Sequence, residues 1–116
     1  MIEDIAVISL WAENVIATAH FYKDVLGLEL LPQPHHGQPH FKVGNAFLTI
    51  LKGKPQPAED PEPAHFPLIA LRVSDLDQAL ARLEAHGVEL PWGVEGQGNA
   101  RWVMFYDPAG NLIELT

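Results

Sequence analysis

The sequence has no cysteine, which excludes disulfides, thiolate metal sites and a thiol nucleophile together. Basic residues are scarce: 7 Lys and Arg stand against 15 Asp and Glu, for a formal net charge of −8. Because Lys and Arg neutralise a phosphate backbone, nucleic acid is not an expected partner. The same charge suits a cationic ligand by long-range attraction, and it also serves solubility. No apolar stretch approaches the roughly 18 residues of a membrane span. The acidic opening Met1-Ile2-Glu3-Asp4 lacks the basic start and small-residue cleavage site of a secretory signal. A soluble, cytoplasmic protein with neither membrane nor nucleic-acid partners is expected. Nucleophile elbow, Ser-His-Asp arrangement and dinucleotide fingerprint are missing too, so no catalytic residue is assigned.

What remains is an ordinary globular composition, 47% hydrophobic and 19% charged, in a chain of 116 residues with room for one domain. Ile5 to Trp11 is β-rich and predicts a strand. Asn14 is a plausible N-cap for a helix over Val15–Leu26, which Gly27 stops. A strand beginning at Leu28-Glu29-Leu30-Leu31 precedes a proline-broken loop, Pro32 to Pro39. His40–Val43, a turn at Gly44-Asn45 and a strand over Ala46–Leu51 follow. Proline and acids then dominate, and residues 53–66 are predicted as a linker between a first module, 1–52, and a second, 67–116.

The pattern starts again at Leu68–Val73. Ser74 or Asp75 caps a helix with a Leu76, Leu80, Leu83 stripe, and Gly87 ends it. Val88-Glu89-Leu90 mirrors Leu28-Glu29-Leu30 as a strand, and Gly93 to Asn99 reads as a mobile hairpin or lid. Arg101–Tyr106, the turn Asp107-Pro108-Ala109-Gly110 and Asn111–Thr116 complete the chain. The expected fold class is α+β: two βαβββ modules forming a curved mixed sheet around a cavity, with helices on the outer face. Alternation supplies the faces. Ala6, Ile8 and Leu10 oppose Val7, Ser9 and Trp11; Ile69, Leu71 and Val73 oppose Leu68, Ala70 and Arg72; Ile113 and Leu115 oppose Leu112, Glu114 and Thr116. The uniformly apolar sides should lie under helices, leaving the mixed sides to line a ligand site.

Phe21-Tyr22-Lys23-Asp24-Val25-Leu26-Gly27-Leu28 resembles the helix-to-strand signature of the glyoxalase/bleomycin resistance/extradiol dioxygenase superfamily, the vicinal oxygen chelate fold. Ser74-Asp75-Leu76-Asp77 and Asp107-Pro108-Ala109-Gly110-Asn111-Leu112-Ile113-Glu114-Leu115 are similar to its second-half signatures. The resemblance implies paired modules around one cavity, often as a homodimer, and in the enzymes a divalent metal held by His, Glu or Gln. Carried over by position, the ligand places fall on Val7, Leu48, Leu68 and Glu114. Of these only Glu114 offers a lone pair, so no metal cofactor is expected. The chain then looks like the bleomycin-resistance-type members that sequester an aromatic or cationic antibiotic. The alternative is a lyase, isomerase or dioxygenase using Glu114, loop histidines and a divalent metal.

Ser9, Trp11, His40, Arg72, Trp92, Trp102, Met104 and Glu114 are the candidate ligand-binding residues. Glu114 could anchor a cation, act as a base or pair with Arg72. Arg72 could instead meet a ligand anion. The tryptophans offer stacking and cation–π surfaces, or core and interface packing. The cluster His35, His36, His40 matches no zinc spacing and reads as solvated loop, pocket lid or unorthodox metal site. His20 and His86 fall on helices, at surface or interface positions. His65 stands three residues before the Leu68 ligand place.

Overall fold

Period-two alternation in Val7–Ala12 forms strand β1, and Asn14 turns the chain into helix α1, Val15–His20. The Asn14 side chain accepts from Ala17 N at 3.0 Å, satisfying one of the amides a helix start leaves open. The computed structural model describes residues 1–32, 34, 37–55 and 67–116. These belong to two compact units, Met1–Pro55 and Gln56–Thr116.

In the first unit α1 passes into a π-helical turn, Phe21–Val25, where a continuous α-helix to Leu26 was expected. Leu26 N donates to Phe21 O at 3.1 Å, the five-residue step that widens the turn. Tyr22 is fully buried there, its ring 6.2 Å from that of Phe41, with Phe21 edge-on at 5.6 Å. Gly27, at φ 72°, ends the segment in the left-handed region. Strands β2 (Glu29–Leu30), β3 (His40–Val43) and β4 (Ala46–Lys52) follow. The sheet order is β1-β4-β3-β2, with β1 parallel to β4 and the other pairs antiparallel. One side of this sheet is its core: Leu10, Ala12, Phe41, Leu48 and Ile50 are buried, as are Thr18, Ala19 and Tyr22 of the helical segment.

The second unit repeats the plan. β5 is Ile69–Leu71, α2 is Leu76–Ala85, and β6, β7 and β8 are Val94–Gln97, Ala100–Tyr106 and Leu112–Leu115. The order is β5-β8-β7-β6, again with the first pair parallel and the rest antiparallel. Two four-stranded mixed sheets, each with its helix, make the expected α+β architecture of repeated βαβββ modules. Asp75 caps α2 by accepting from Gln78 N at 3.0 Å. Arg101, which shares a side of β7 with Val103 and Phe105, meets Asp77 in the first turn of α2 at 3.1 Å. Helix α2 therefore lies on the side where Val103, Phe105, Ile113, Leu115 and Leu83 are buried. Burying each large apolar side chain contributes about 1.5–3 kcal/mol, so this row and its counterpart carry most of each unit's stability.

One element is displaced from its expected place. Val88–Leu90 is not a strand, because its polar groups are used locally. Val88 N donates to Leu83 O at 3.0 Å in closing α2, and Leu90 O accepts from Gly93 N at 3.1 Å in a turn. The strand opens at Val94 instead, so the glycine-rich stretch read as a mobile hairpin or lid is half of the β6–β7 hairpin. Among the described residues no helix is long and apolar enough to cross a membrane.

The β7–β8 turn is organised by Asp107, which is 4% exposed. Its carboxylate accepts from Ala109 N, Asn111 N and Asn111 Nδ2, each at 2.9 Å. Asp107→Ala leaves three donors to find new partners and should lower unfolding free energy by about 2–3 kcal/mol in urea denaturation. A loss below about 0.5 kcal/mol would show that the turn does not depend on this carboxylate.

Candidate functional site

With one side of each sheet committed to its core, the chemistry-bearing residues collect on the other. In the first unit the pairs Val7↔Phe47, Ser9↔Thr49 and His40↔Thr49 define that open face. Ser9, Thr49 and His40 form a row across β1, β4 and β3. Thr49 Oγ1 donates to Pro39 O at 3.0 Å, and the His40 ring lies 5.8 Å from that of Phe47. Val7 and Phe47 are 42% and 38% exposed, so the face is apolar and open. Trp11 extends it, half-exposed, with its ring against Gly53: a Cβ there would stand 2.8 Å from the Trp11 Cε3. Ser9, Trp11 and His40 thus share one face of the first sheet. His35, His36 and His65 lie outside the described residues.

The second unit gathers the other candidates. Met104 is paired with Glu114, and Glu114 with Ala70, so Glu114 sits half-buried in the middle of the face. Trp102 is the next residue on that side of β7, and Tyr106 the one beyond Met104. Trp92, ahead of β6, places its ring 5.9 Å from Tyr106. Trp92, Tyr106, Met104 and Trp102 therefore make one aromatic and thioether strip beside Glu114. Arg72 stands opposite Thr116, whose N donates to Leu71 O while its own O accepts from Val73 N. Arg72 is exposed, and no ion pair joins it to Glu114. The structure does not form that internal pair. His20 and His86 are exposed on the helical segments, His20 3.4 Å from Asp24.

Sequence reading missed Glu95. It is directly paired with Trp102 and shares its face. Its Oε1 is buried without a hydrogen-bond partner among the described residues. The signal was the alternation Val94, Glu95, Gly96, Gln97, hidden by the glycines around it. Gly96 has a structural reason: at φ 80°, an added Cβ would lie 1.9 Å from Ala100 O and 2.7 Å from the Trp102 Cζ3. The indole occupies the space a side chain would take.

A divalent metal of the family's kind needs several nitrogen or oxygen donors. Val7 does lie on the open face, but the carried-over place on β4 does not. Leu48 is fully buried on the helix side with Phe41, so the open-face positions on β4 are Phe47, Thr49 and Leu51. The correction is one residue, which inverts the face. It brings Thr49 in, a neutral hydroxyl that donates to Pro39 O and is not among the usual His, Cys and carboxylate ligands. Among the described residues no group of three or more His, Cys, Asp or Glu is placed to hold a metal ion. Aliphatic Val7 and Leu68, a neutral threonine hydroxyl and the Glu114 carboxylate do not fit a divalent cation that needs several strong nitrogen or oxygen ligands.

A family model, the Glyoxalase/Bleomycin resistance protein/Dioxygenase superfamily, matches residues 4–115. The chain belongs to this superfamily. No curated protein matches it. Among solved structures it is similar to an antibiotic-binding protein from a Streptomyces species, with 29% identity over 99% of this chain and 95% of that one, and a TM-score of 0.70. It is also similar to a lactoylglutathione lyase from Agrobacterium tumefaciens, with 26% identity over 97% and 92% of the two chains and a TM-score of 0.71. A fosfomycin resistance protein from Listeria monocytogenes, 21% identical over 99% and 93% with a TM-score of 0.77, shares the fold. Superfamily membership thus embraces both binding proteins and enzymes, and the residues of the faces must discriminate.

Gly96→Ala should displace the Trp102 ring, since neither the backbone angle nor the space admits a methyl group. The expected result is a changed near-ultraviolet circular dichroism band and a melting temperature lowered by several degrees. An unchanged spectrum and melting temperature would place the indole elsewhere.

Proposed function

We propose that this superfamily member is a small-molecule binding protein without the usual metal site, sequestering an aromatic or cationic compound such as an antibiotic. The observation that carries the reading is the composition of the open faces. In the second unit the indoles of Trp102 and Trp92 stand with Met104, Tyr106 and Glu114, and in the first Trp11 shares its face with Val7 and Phe47, whereas the metal enzymes of the family need several ligands. Stacking and cation–π attraction hold a planar or charged guest without bond chemistry, and the net charge of −8 favours a positive one. The likeness to an antibiotic-binding protein supports it. A cytoplasmic homodimer belongs to the same reading, and sedimentation analysis tests its stoichiometry.

Calorimetric titration against a panel of cationic and neutral aromatic drugs is the direct test. Saturable binding by at least one compound, unchanged by chelator, is expected, and Trp102→Ala should weaken it about tenfold. No binding across the panel, together with metal-dependent turnover, would reject the reading. The second reading, an isomerase, lyase or dioxygenase using Glu114 and histidines with a divalent metal, has support in the lyase likeness. Stoichiometric metal in protein purified without chelator, lost in Glu114→Ala or His40→Ala, would establish it.

A further inference from the structure

Glu95 belongs to a strand too short and glycine-rich to have been expected, yet it stands directly across from Trp102. Residues so paired in an antiparallel ladder have Cβ atoms about 4.5–5.5 Å apart on one side of the sheet. The indole lies over Gly96, in the space a Cβ there would take. Glu95 and Trp102 are therefore neighbours on one side of the sheet. The Glu95 Oε1 is withdrawn from water with no donor among the described residues. A buried acceptor in that condition is costly until a donor is supplied, more so when it carries charge.

The described second unit does not supply one. Its basic side chains are Arg72, Arg82, His86 and Arg101. Arg101 points to the α2 side, where it binds Asp77 at 3.1 Å. Arg82 lies on α2 and His86 caps it, with its Nδ1 2.8 Å from Arg82 O. Arg72, on β5's continuation, is separated from β6 by β8 and β7, three inter-strand steps or about 14 Å. Among the described residues of this unit, then, no donor is placed on that oxygen.

Resting on the ligand-binding reading, we infer that Glu95 and Trp102 are the seat for an organic cation bearing N–H groups, joined to a planar ring. A protonated amine, amidine or guanidine donates to the Glu95 carboxylate, while its charge and attached ring lie on the indole. A quaternary ammonium satisfies the charge but not the acceptor, and a neutral alcohol leaves the charge unpaired. Glu95 is thus the residue that sets specificity, and Trp102 the one that supplies area.

The test is calorimetric titration of the full chain with 2-(2-naphthyl)ethylammonium, its N,N,N-trimethyl analogue and 2-(2-naphthyl)ethanol. The primary ammonium should bind about tenfold more tightly than either comparator, as one charge-assisted hydrogen bond provides. Glu95→Gln should remove that preference and leave the alcohol within about twofold, while Glu95→Asp should keep part of it. Glu84→Gln, which deletes the same charge from the exposed side of α2, should change nothing. Equal affinities for the three compounds, or equal effects of Glu95→Gln and Glu84→Gln, would overturn the role of Glu95 while leaving a ligand-binding protein. Binding of drugs from the panel but of none of these probes would do the same. Failure of every probe and every drug would remove the ligand-binding reading itself, and this inference with it.

Discussion

The parity of side chains along each strand is the constraint from which the rest follows. Leu10, Ala12, Phe41, Leu48 and Ile50 in one sheet, and Val103, Phe105, Ile113 and Leu115 in the other, are buried on one side. Because each strand inverts at every residue, that commitment sends Val7, Ser9, Trp11 and Thr49, or Trp102, Met104 and Glu114, to the opposite side. Moving any strand by one position would exchange core for site. The hydrophobic row that stabilises a unit is therefore also what chooses its chemistry.

The same parity explains why a family resemblance can place a fold securely and still misplace one ligand position. Counting along the chain located Val7, Leu68 and Glu114 on the open faces, since each is near a clear motif. Leu48 followed a turn whose length fixes the register, and one residue of error carried it into the core. Replacing it by Thr49 adds a single neutral hydroxyl to the donor set, one that donates to Pro39 O. At the corrected places stand the aliphatic side chains of Val7 and Leu68, the Thr49 hydroxyl and the Glu114 carboxylate.

Two glycines show how a small fold presents large rings. Gly53 and Gly96 each take the place where a Cβ would collide with an indole, Trp11 in one unit and Trp102 in the other. A tryptophan resting on bare backbone loses little further rotamer freedom when a guest arrives, which lowers the entropic cost of binding. The repeat of the βαβββ plan has produced the same device twice, from residues that do not correspond in the sequence. In one unit the glycine follows β4; in the other it interrupts β6.

The sequence by itself determined the repeated order of elements, the caps at Asn14 and Asp75, and the faces of the long strands, because these rest on local bonding and on period-two burial. It also exposed most of the candidate residues, since Trp11, Trp102 and Glu114 stand at legible strand positions. The π turn at Phe21, the β6 strand and Glu95 were decided only by tertiary structure. The helix widens where Tyr22 is buried beside Phe41, and pairing with β7 holds a glycine-rich stretch in the sheet despite its weak propensity. Pairing across strands, not composition within one, put a carboxylate beside an indole.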